Sequence, residues 1–332
     1  MPAQRNRPWR ARLHVVTGKG GTGKTTVAAA LALALAAEGR RTLLVEVEGR
    51  QGIAQLFGVD ALPYGERRIA TTADGGEVRA LAVDPEEALL EYLDMFYKLG
   101  MAGRALRKLG AIDFATTIAP GVRDVLLTGK VKEATNRAEA GRRVYDAVIL
   151  DAPPTGRIGR FLNVTAEAAR LAKVGPIKNQ SEGVATLLRS PMTAVHVVTL
   201  LEEMPVQETM DAMDELARLG ISLGSIIVNA ARLPLRTGGR ATPAELRRGL
   251  LAAGLAADRD TVVGLRTEVD AHLTRLAIEE GLRNELATAE RPVIELPWLA
   301  GGVDPVSGGV PEGLLTLAEA LTVAGISTAS LA

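Results

Sequence analysis

The sequence contains no cysteine and only three histidines among its 332 residues. The absence of cysteine excludes disulfides, thiolate zinc sites, iron–sulfur ligation and a cysteine nucleophile. His14, His196 and His272 lie far apart along the chain. A histidine-based transition-metal site is therefore not expected.

The chain also lacks an excess of charge of either sign and a long apolar run. It has 39 basic and 39 acidic residues, so no overall positive field would draw it to nucleic acid or anionic lipid. The longest apolar run, residues 27–37, is too short to span a bilayer, and it follows a loop rather than a signal region. We expect a cytoplasmic protein with no nucleic-acid partner, and we leave peripheral membrane contact open.

Short apolar runs alternate with helical stretches along most of the chain. This alternation predicts a single α/β domain over residues 1–332, with a mainly parallel sheet covered by helices on both faces. The predicted strands are residues 13–17, 42–47, 78–83, 144–150, 194–200, 225–228 and 292–296. Helices are predicted over residues 25–38, 206–219 and 312–323.

Three segments depart from this alternation. Residues 86–140 and 157–190 appear mainly helical and flank the strand predicted at 144–150, so we expect two insertions that meet as a helical lobe over the edge of the sheet. Residues 1–12 are basic and contain proline, which predicts a disordered tail.

Residues 18–25 read Gly-Lys-Gly-Gly-Thr-Gly-Lys-Thr and fit the phosphate-loop pattern G-x-x-x-x-G-K-[ST]. The motif follows a predicted strand and opens a helix, which is the context that the pattern requires. Glycines let successive backbone N–H groups turn toward phosphate oxygens, and the helix N-terminus adds partial positive charge. Lys24 is predicted to reach the β- and γ-phosphates, and the Thr25 hydroxyl to ligate Mg²⁺. The predicted nucleotide-binding set within the motif is Gly20, Gly21, Thr22, Gly23, Lys24, Thr25 and Thr26.

Carboxylates follow two of the predicted strands. Asp151 comes directly after Val148-Ile149-Leu150, where a carboxylate at the carboxyl edge of the sheet would hold the Mg²⁺ shell through water. Glu46 and Glu48 lie at the end of the second strand, on one face by period-two alternation. One of this pair is predicted to orient or activate the attacking water.

With these motifs in place, the sequence resembles the ArsA/GET family of ATPases, whose fold is a P-loop NTPase with a deviant Walker A motif related to that of MinD and ParA. The loop at residues 18–26 is close to the family's Gly-Lys-Gly-Gly-Val-Gly-Lys-Thr-Thr, and Asp151-Ala152-Pro153-Pro154-Thr155-Gly156 resembles its switch II. The resemblance implies ATP and Mg²⁺ as ligands and implies that Lys19 crosses to the nucleotide of a partner subunit. It also implies that Asn229 and the loop at Pro297 flank the adenine.

The resemblance therefore implies a dimeric switch ATPase that couples hydrolysis to a protein client or membrane-transport partner, as a homodimer or as a heterodimer with a related ATPase. Switch I departs from the family's Ser-Thr-Asp-Pro-Ala: it reads Glu46-Val47-Glu48-Gly49-Arg50, so Glu48 replaces the water-activating Asp and slow turnover is expected. The missing cysteines leave neither a zinc clasp nor an arsenite site. Two alternatives stay open, a ParA/MinD-type positioning ATPase and a weakly hydrolysing regulatory half of a heterodimer.

Overall fold

The computed structural model describes residues 8–97, 120–163, 176–232, 241–306 and 309–325. Within these residues, eight strands form one sheet and two short strands form a hairpin. The sheet contains β1 Leu13–Gly18, β2 Arg41–Glu46, β3 Arg67–Thr71, β4 Glu77–Ala82, β7 Ala147–Asp151, β8 Thr193–Thr199, β9 Leu223–Ala231 and β10 Val293–Pro297. The hairpin pairs β5 Ala138–Glu139 with β6 Arg142–Arg143.

The helices of the described residues lie on both faces of this sheet. They are α1 Lys24–Ala36, α2 Gly52–Leu56, α3 Pro85–Tyr97, α4 Pro120–Asn136, α5 Thr155–Leu162, α6 Pro176–Arg189, α7 Glu203–Arg218, α8 Pro243–Ala252, α9 Arg259–Ala287 and α10 Glu312–Val323. None of them is both long and apolar enough to cross a bilayer.

The strand order is β10-β9-β8-β1-β7-β2-β4-β3, and all neighbours are parallel except the edge pair β3 and β4. This confirms the predicted mainly parallel α/β fold. β1 lies between β7 and β8, so the carboxyl ends of these three strands meet at one place. The phosphate loop leaves β1 at that edge, which is where open α/β sheets bind their ligands.

Helix α1 is apolar all round, and its residues Val27 to Ala36 are all buried. A helix without a polar face is stable only when it is covered on every side. One side of α1 packs on the sheet through Val16, Leu44 and Ile149, and the other side is covered by α10 through Leu314 and Leu321. The position of the first turn of α1, which directly follows the phosphate loop, is therefore fixed.

The opposite face of the sheet is covered by helices from the two predicted insertions. Val125 and Leu127 of α4 pack with Val184 and Leu188 of α6 and with Phe161 of α5 in one core over this face. The described parts of the insertions are helical except for the β5–β6 hairpin, and they lie on the face of the sheet rather than over its edge. Residues 98–119 and 164–175 lie outside the described residues, so the lobe itself stays a prediction.

The predicted disordered tail is wrong over residues 8–12. Pro8–Arg10 forms a 3₁₀ turn, and the buried ring of Trp9 stacks on His196 at 4.7 Å between centroids. Residues 1–7 of the predicted tail lie outside the described residues. Burial of one large aromatic ring is enough to order a short segment, because it removes a large apolar area from water.

Trp9 covers a fully buried histidine pair that joins β1 to β8. The Ser225 N–H donates to His196 Nδ1 at 3.1 Å, so His196 Nε2–H donates to His14 Nδ1 at 3.1 Å. His14 Nε2–H then donates to the Ala11 carbonyl at 2.9 Å. Burial lowers the pKa of His14 to about 4 and holds the pKa of His196 well below its usual value, with His14 adding to the effect.

Because both histidines are neutral in the fold, we expect mild acid to destabilise it. In the unfolded chain a histidine binds a proton near pH 6.5, whereas His14 in the folded chain binds one only near pH 4. The contribution of these histidines to stability is therefore fully present above pH 6.5 and falls as the pH drops, by about 2 kcal/mol for His14 between pH 7 and pH 5, and His196 adds to the loss. Urea unfolding at the two pH values measures this loss.

The variant His14→Gln keeps a donor and an acceptor but cannot titrate. Its loss of stability over the same pH interval should be smaller than that of the unsubstituted chain by about 2 kcal/mol. His272→Gln, on α9, is the matched control and should follow the unsubstituted chain. Identical acid losses in the two variants would contradict the assignment.

Candidate functional site

The phosphate loop contains two glycines that no other residue can replace. Gly23 has φ +88°, and a Cβ there would lie 2.3 Å from Asn229 Nδ2. A Cβ on Gly18 would lie 2.2 Å from the Val198 carbonyl oxygen. Gly20 and Gly21 instead have open space around the Cβ position, with nothing within 4 Å. The loop is thus packed tightly at its ends and open in its middle, where a phosphate would approach.

Lys24 begins α1 and folds back over the loop. Its ammonium group donates to the Lys19 carbonyl at 3.3 Å. Burial lowers the pKa of Lys24, while the carboxylates of Asp151 and Glu48 act in the opposite direction. The lysine thus lies among acidic groups and backbone oxygen at the mouth of the loop. Thr26, also in the predicted set, lies in the first turn of α1.

Thr25 and Asp151 meet where α1 begins and β7 ends. The Thr25 hydroxyl donates to Asp151 Oδ2 at 2.6 Å. Burial raises the pKa of Asp151 to about 6, and Glu46 and Glu48 add to the rise, while the Thr25 hydrogen bond and Lys24 oppose it. A cation placed beside this carboxylate would offset the cost of burying its charge.

The oxygen ligands of Thr25 and Asp151 fit Mg²⁺, which prefers oxygen and is bound by few protein groups. Among the described residues, no three His, Cys, Asp or Glu side chains converge to form a metal cage. This donor set suits an ion that takes its remaining ligands from water and substrate phosphates. The structure therefore brings together the two residues that the sequence assigned to Mg²⁺.

Lys19 is held by its own chain. Its ammonium group lies 2.6 Å from Glu208 Oε1 on α7. The other oxygen of Glu208 accepts a hydrogen bond from the Thr155 hydroxyl at 3.0 Å, and the Lys19 hydrogen bond lowers the pKa of Glu208. One carboxylate therefore links the phosphate loop to the first residue of α5, in the segment that resembles switch II.

Glu46 and Glu48 have different surroundings, although sequence alternation placed them together. Glu46 is buried, and its two oxygens accept hydrogen bonds from the backbone N–H groups of Gln51 and Ile53. It thereby fixes the start of α2. Glu48 instead faces two guanidinium groups, with Arg157 at 3.5 Å and Arg50 at 3.8 Å.

A pocket of about 200 Å³ opens beside Glu48. Arg50, Arg123 and Arg157 all line it, together with the buried Asp124 of α4. Sequence reasoning did not single out these arginines. Arg157 follows Thr155-Gly156 directly and Arg50 lies within switch I, so their proximity to the two switch motifs was the available signal.

The two residues predicted to flank adenine lie on neighbouring strands. Asn229 of β9 donates from Nδ2 to the Thr22 carbonyl at 2.9 Å, so it supports the phosphate loop directly. Pro297 ends β10 opposite Ala231. The next residue, Trp298, is 51% exposed, and the Arg232 guanidinium lies 5.2 Å from its ring centroid. The adenine role of Asn229 and Pro297 stays a prediction.

The sequence is similar to known proteins over most of its length. The family model described as anion-transporting ATPase matches residues 11–192 and 167–239. The ATPase BagA of Mycobacterium tuberculosis is 54% identical over 324 residues, which are 95% of this chain and 94% of that protein.

More distant relatives cover about two thirds of the chain. The ATPase GET3 of Kluyveromyces lactis is 27% identical over 249 residues, 64% of this chain and 70% of that protein. The arsenical pump-driving ATPase of Acidiphilium multivorum is 26% identical over 243 residues, 64% of this chain and 38% of that protein. The family match and the similarity to BagA show that the chain belongs to the ArsA family of anion-transporting ATPases.

Proposed function

We propose that the protein is a Mg²⁺-dependent ATPase that works as a dimeric switch, either with a second copy or with a related ATPase chain. The observation that carries this proposal is the 2.6 Å contact between Thr25 and Asp151 at the end of a phosphate loop that also presents Lys24. These groups are the ones that bind and neutralise a triphosphate in P-loop ATPases.

Each residue of the loop would have a distinct task. The N–H groups around Gly20 and Gly21 would bind phosphate oxygens, because no side chain crowds this part of the loop. Lys24 would leave the Lys19 carbonyl and bind the β- and γ-phosphates. Thr25 and, through water, Asp151 would hold Mg²⁺, which neutralises charge on those phosphates when bound.

Glu48 is the residue that we propose orients the attacking water. Glu46 is a poor candidate because both of its carboxylate oxygens already accept backbone hydrogen bonds. Glu48 lies beside the 200 Å³ pocket, and it would have to release Arg157 or Arg50 to accept a proton from water. This requirement agrees with the slow turnover expected from its longer side chain.

Lys19 would act in trans. In the single chain its ammonium group pairs with Glu208, so it must leave this ion pair before it can reach a partner's nucleotide. Because Glu208 also binds Thr155 beside switch II, a movement of switch II on ATP binding would weaken the Lys19–Glu208 pair. We therefore propose that this ion pair marks the open state of the dimer.

The switch would act on a protein client or a membrane-transport partner through helices α3, α4 and α6. Helix α4 begins beside the phosphate-binding edge, where Arg123 and Asp124 line the pocket of Glu48, and it packs against α6 farther along. A change at Glu48 would therefore be transmitted directly to these helices.

Two alternatives are distinguishable. A ParA/MinD-type positioning ATPase would need a basic surface or a free amphipathic tail helix, whereas α10 is packed on α1 through Leu314, Leu317 and Leu321. Co-sedimentation with DNA tests this alternative.

A regulatory half of a heterodimer would bind ATP but release phosphate only with its partner chain. A phosphate-release assay on the isolated chain tests this alternative.

Lys24→Ala should abolish productive ATP binding, because it removes the cation that the loop places on the β- and γ-phosphates in cis. Titration calorimetry with ATP and Mg²⁺ measures the loss. Lys178→Ala, which removes an exposed lysine of α6, is the matched control and should bind normally. Unchanged affinity and turnover in Lys24→Ala would contradict the phosphate-loop assignment.

Glu48→Gln should bind ATP normally and hydrolyse it about a hundredfold more slowly, the range for losing a positioned base. Glu46→Gln should instead keep most of the turnover. It weakens the hydrogen bonds that fix the start of α2, so the free energy of unfolding should fall by about 1–3 kcal/mol. Phosphate release and thermal unfolding of both variants separate the two roles. A hundredfold loss of turnover in a stable Glu46→Gln chain, with Glu48→Gln active, would exchange the assignments.

A further inference from the structure

A second cavity lies beside α4, and it shares no lining residue with the phosphate loop. It has a volume of about 570 Å³ and is bounded by α3, α4, α6 and the loop at Tyr64. Pockets for small organic ligands fall in this size range. Its apolar walls include Ala88 and Leu126.

Ion pairs hold the walls of this cavity in place. Lys130 lies 2.8 Å from Glu91 of α3 and 5.2 Å from the centroid of the Tyr64 ring. Arg137 lies 2.7 Å from both Glu133 and Glu66. These cations are already neutralised by carboxylates of the same chain, so they define the shape of the cavity rather than its ligand.

Two lining groups are left without such a partner among the described residues. Lys132 has no carboxylate within ion-pair distance, and Gln180 Oε1 is buried without a hydrogen-bond donor. Each of these side chains lies across a glycine of the opposite helix. A Cβ on Gly183 would lie 2.1 Å from Lys132 Nζ, and a Cβ on Gly129 would lie 1.8 Å from Gln180 Nε2.

The two glycines therefore make room for a lysine and an amide that the fold itself does not use. A buried acceptor without a donor is costly, and a lysine without a carboxylate partner attracts an anion. Lys130 and Arg137 are paired with Glu91, Glu133 and Glu66, so Lys132 is the lining cation that the described residues leave without a carboxylate partner.

We propose that this cavity binds a small carboxylic acid with an apolar body and a hydroxyl donor. The carboxylate would pair with Lys132, the hydroxyl would donate to Gln180, and the apolar body would pack against Leu126 and Ala88. The proposal does not rest on the ATPase function, because binding is measured without nucleotide.

The test uses 3-phenyllactate as the probe and 3-phenylpropane-1,2-diol, in which CH2OH replaces the carboxylate, as its uncharged counterpart, with ligand-observed NMR titration of the full chain. The acid should bind saturably and about tenfold more tightly than the alcohol, the range for one charge-assisted contact. Lys132→Gln should remove this difference. Lys178→Gln, which changes an exposed lysine of α6 paired with Glu182, should retain it.

A second variant separates the cavity from other surfaces. Ala138 is exposed at the mouth, so Ala138→Trp should block entry of both probes and leave the thermal unfolding transition in place. Equal loss of binding in Lys132→Gln and Lys178→Gln would overturn the proposal. So would unchanged binding in a folded Ala138→Trp chain, or the absence of saturable binding of the acid.

Discussion

The site depends on one constraint, the contact between the first turn of α1 and the carboxyl end of β7. Asp151 pairs in register with Val16 on β1, two residues before the phosphate loop begins. The loop must therefore return over the end of its neighbouring strand, and Thr25 meets Asp151 at 2.6 Å. The apolar part of α1, Val27 to Ala36, cannot shift to relieve this contact, because it is buried between the sheet and α10. In the proposed function, the nucleotide, the Mg²⁺ ion and the switch loops would all be positioned relative to this fixed contact.

The fold was largely predictable because buried parallel strands are short apolar runs with glycine or acidic ends. The prediction missed β3 Arg67–Thr71, whose arginines suit an edge strand that pairs on one side only. The strand predicted from residue 144 begins at Ala147, since the Val144 N–H bonds to the Arg137 carbonyl beside the β5–β6 hairpin. The prediction of a disordered tail was wrong at Trp9, because composition does not reveal that this ring stacks on His196 of β8.

The geometry of the candidate site was predictable where sequence motifs place residues at one edge of the sheet, as for the contact between Thr25 and Asp151. It was not predictable where no motif pairs the partners. Glu208 lies 189 residues from Lys19, and no periodicity links them. Glu46 and Glu48 have different hydrogen-bond and ion-pair partners because of the path of the loop after β2. This loop turns the N–H groups of Gln51 and Ile53 toward Glu46.

We propose that Lys19 leaves Glu208 and completes the active site of a partner chain. Phosphate release from an equimolar mixture of Lys19→Ala and Glu48→Gln chains tests this role. In a mixed pair, one site keeps its own Glu48 and receives an intact Lys19 from across the interface, so activity should exceed the sum of the two variants alone. Light scattering and native mass spectrometry establish that mixed pairs form. If they form and the activity equals only that sum, Lys19 does not act in trans and the dimeric mechanism is contradicted.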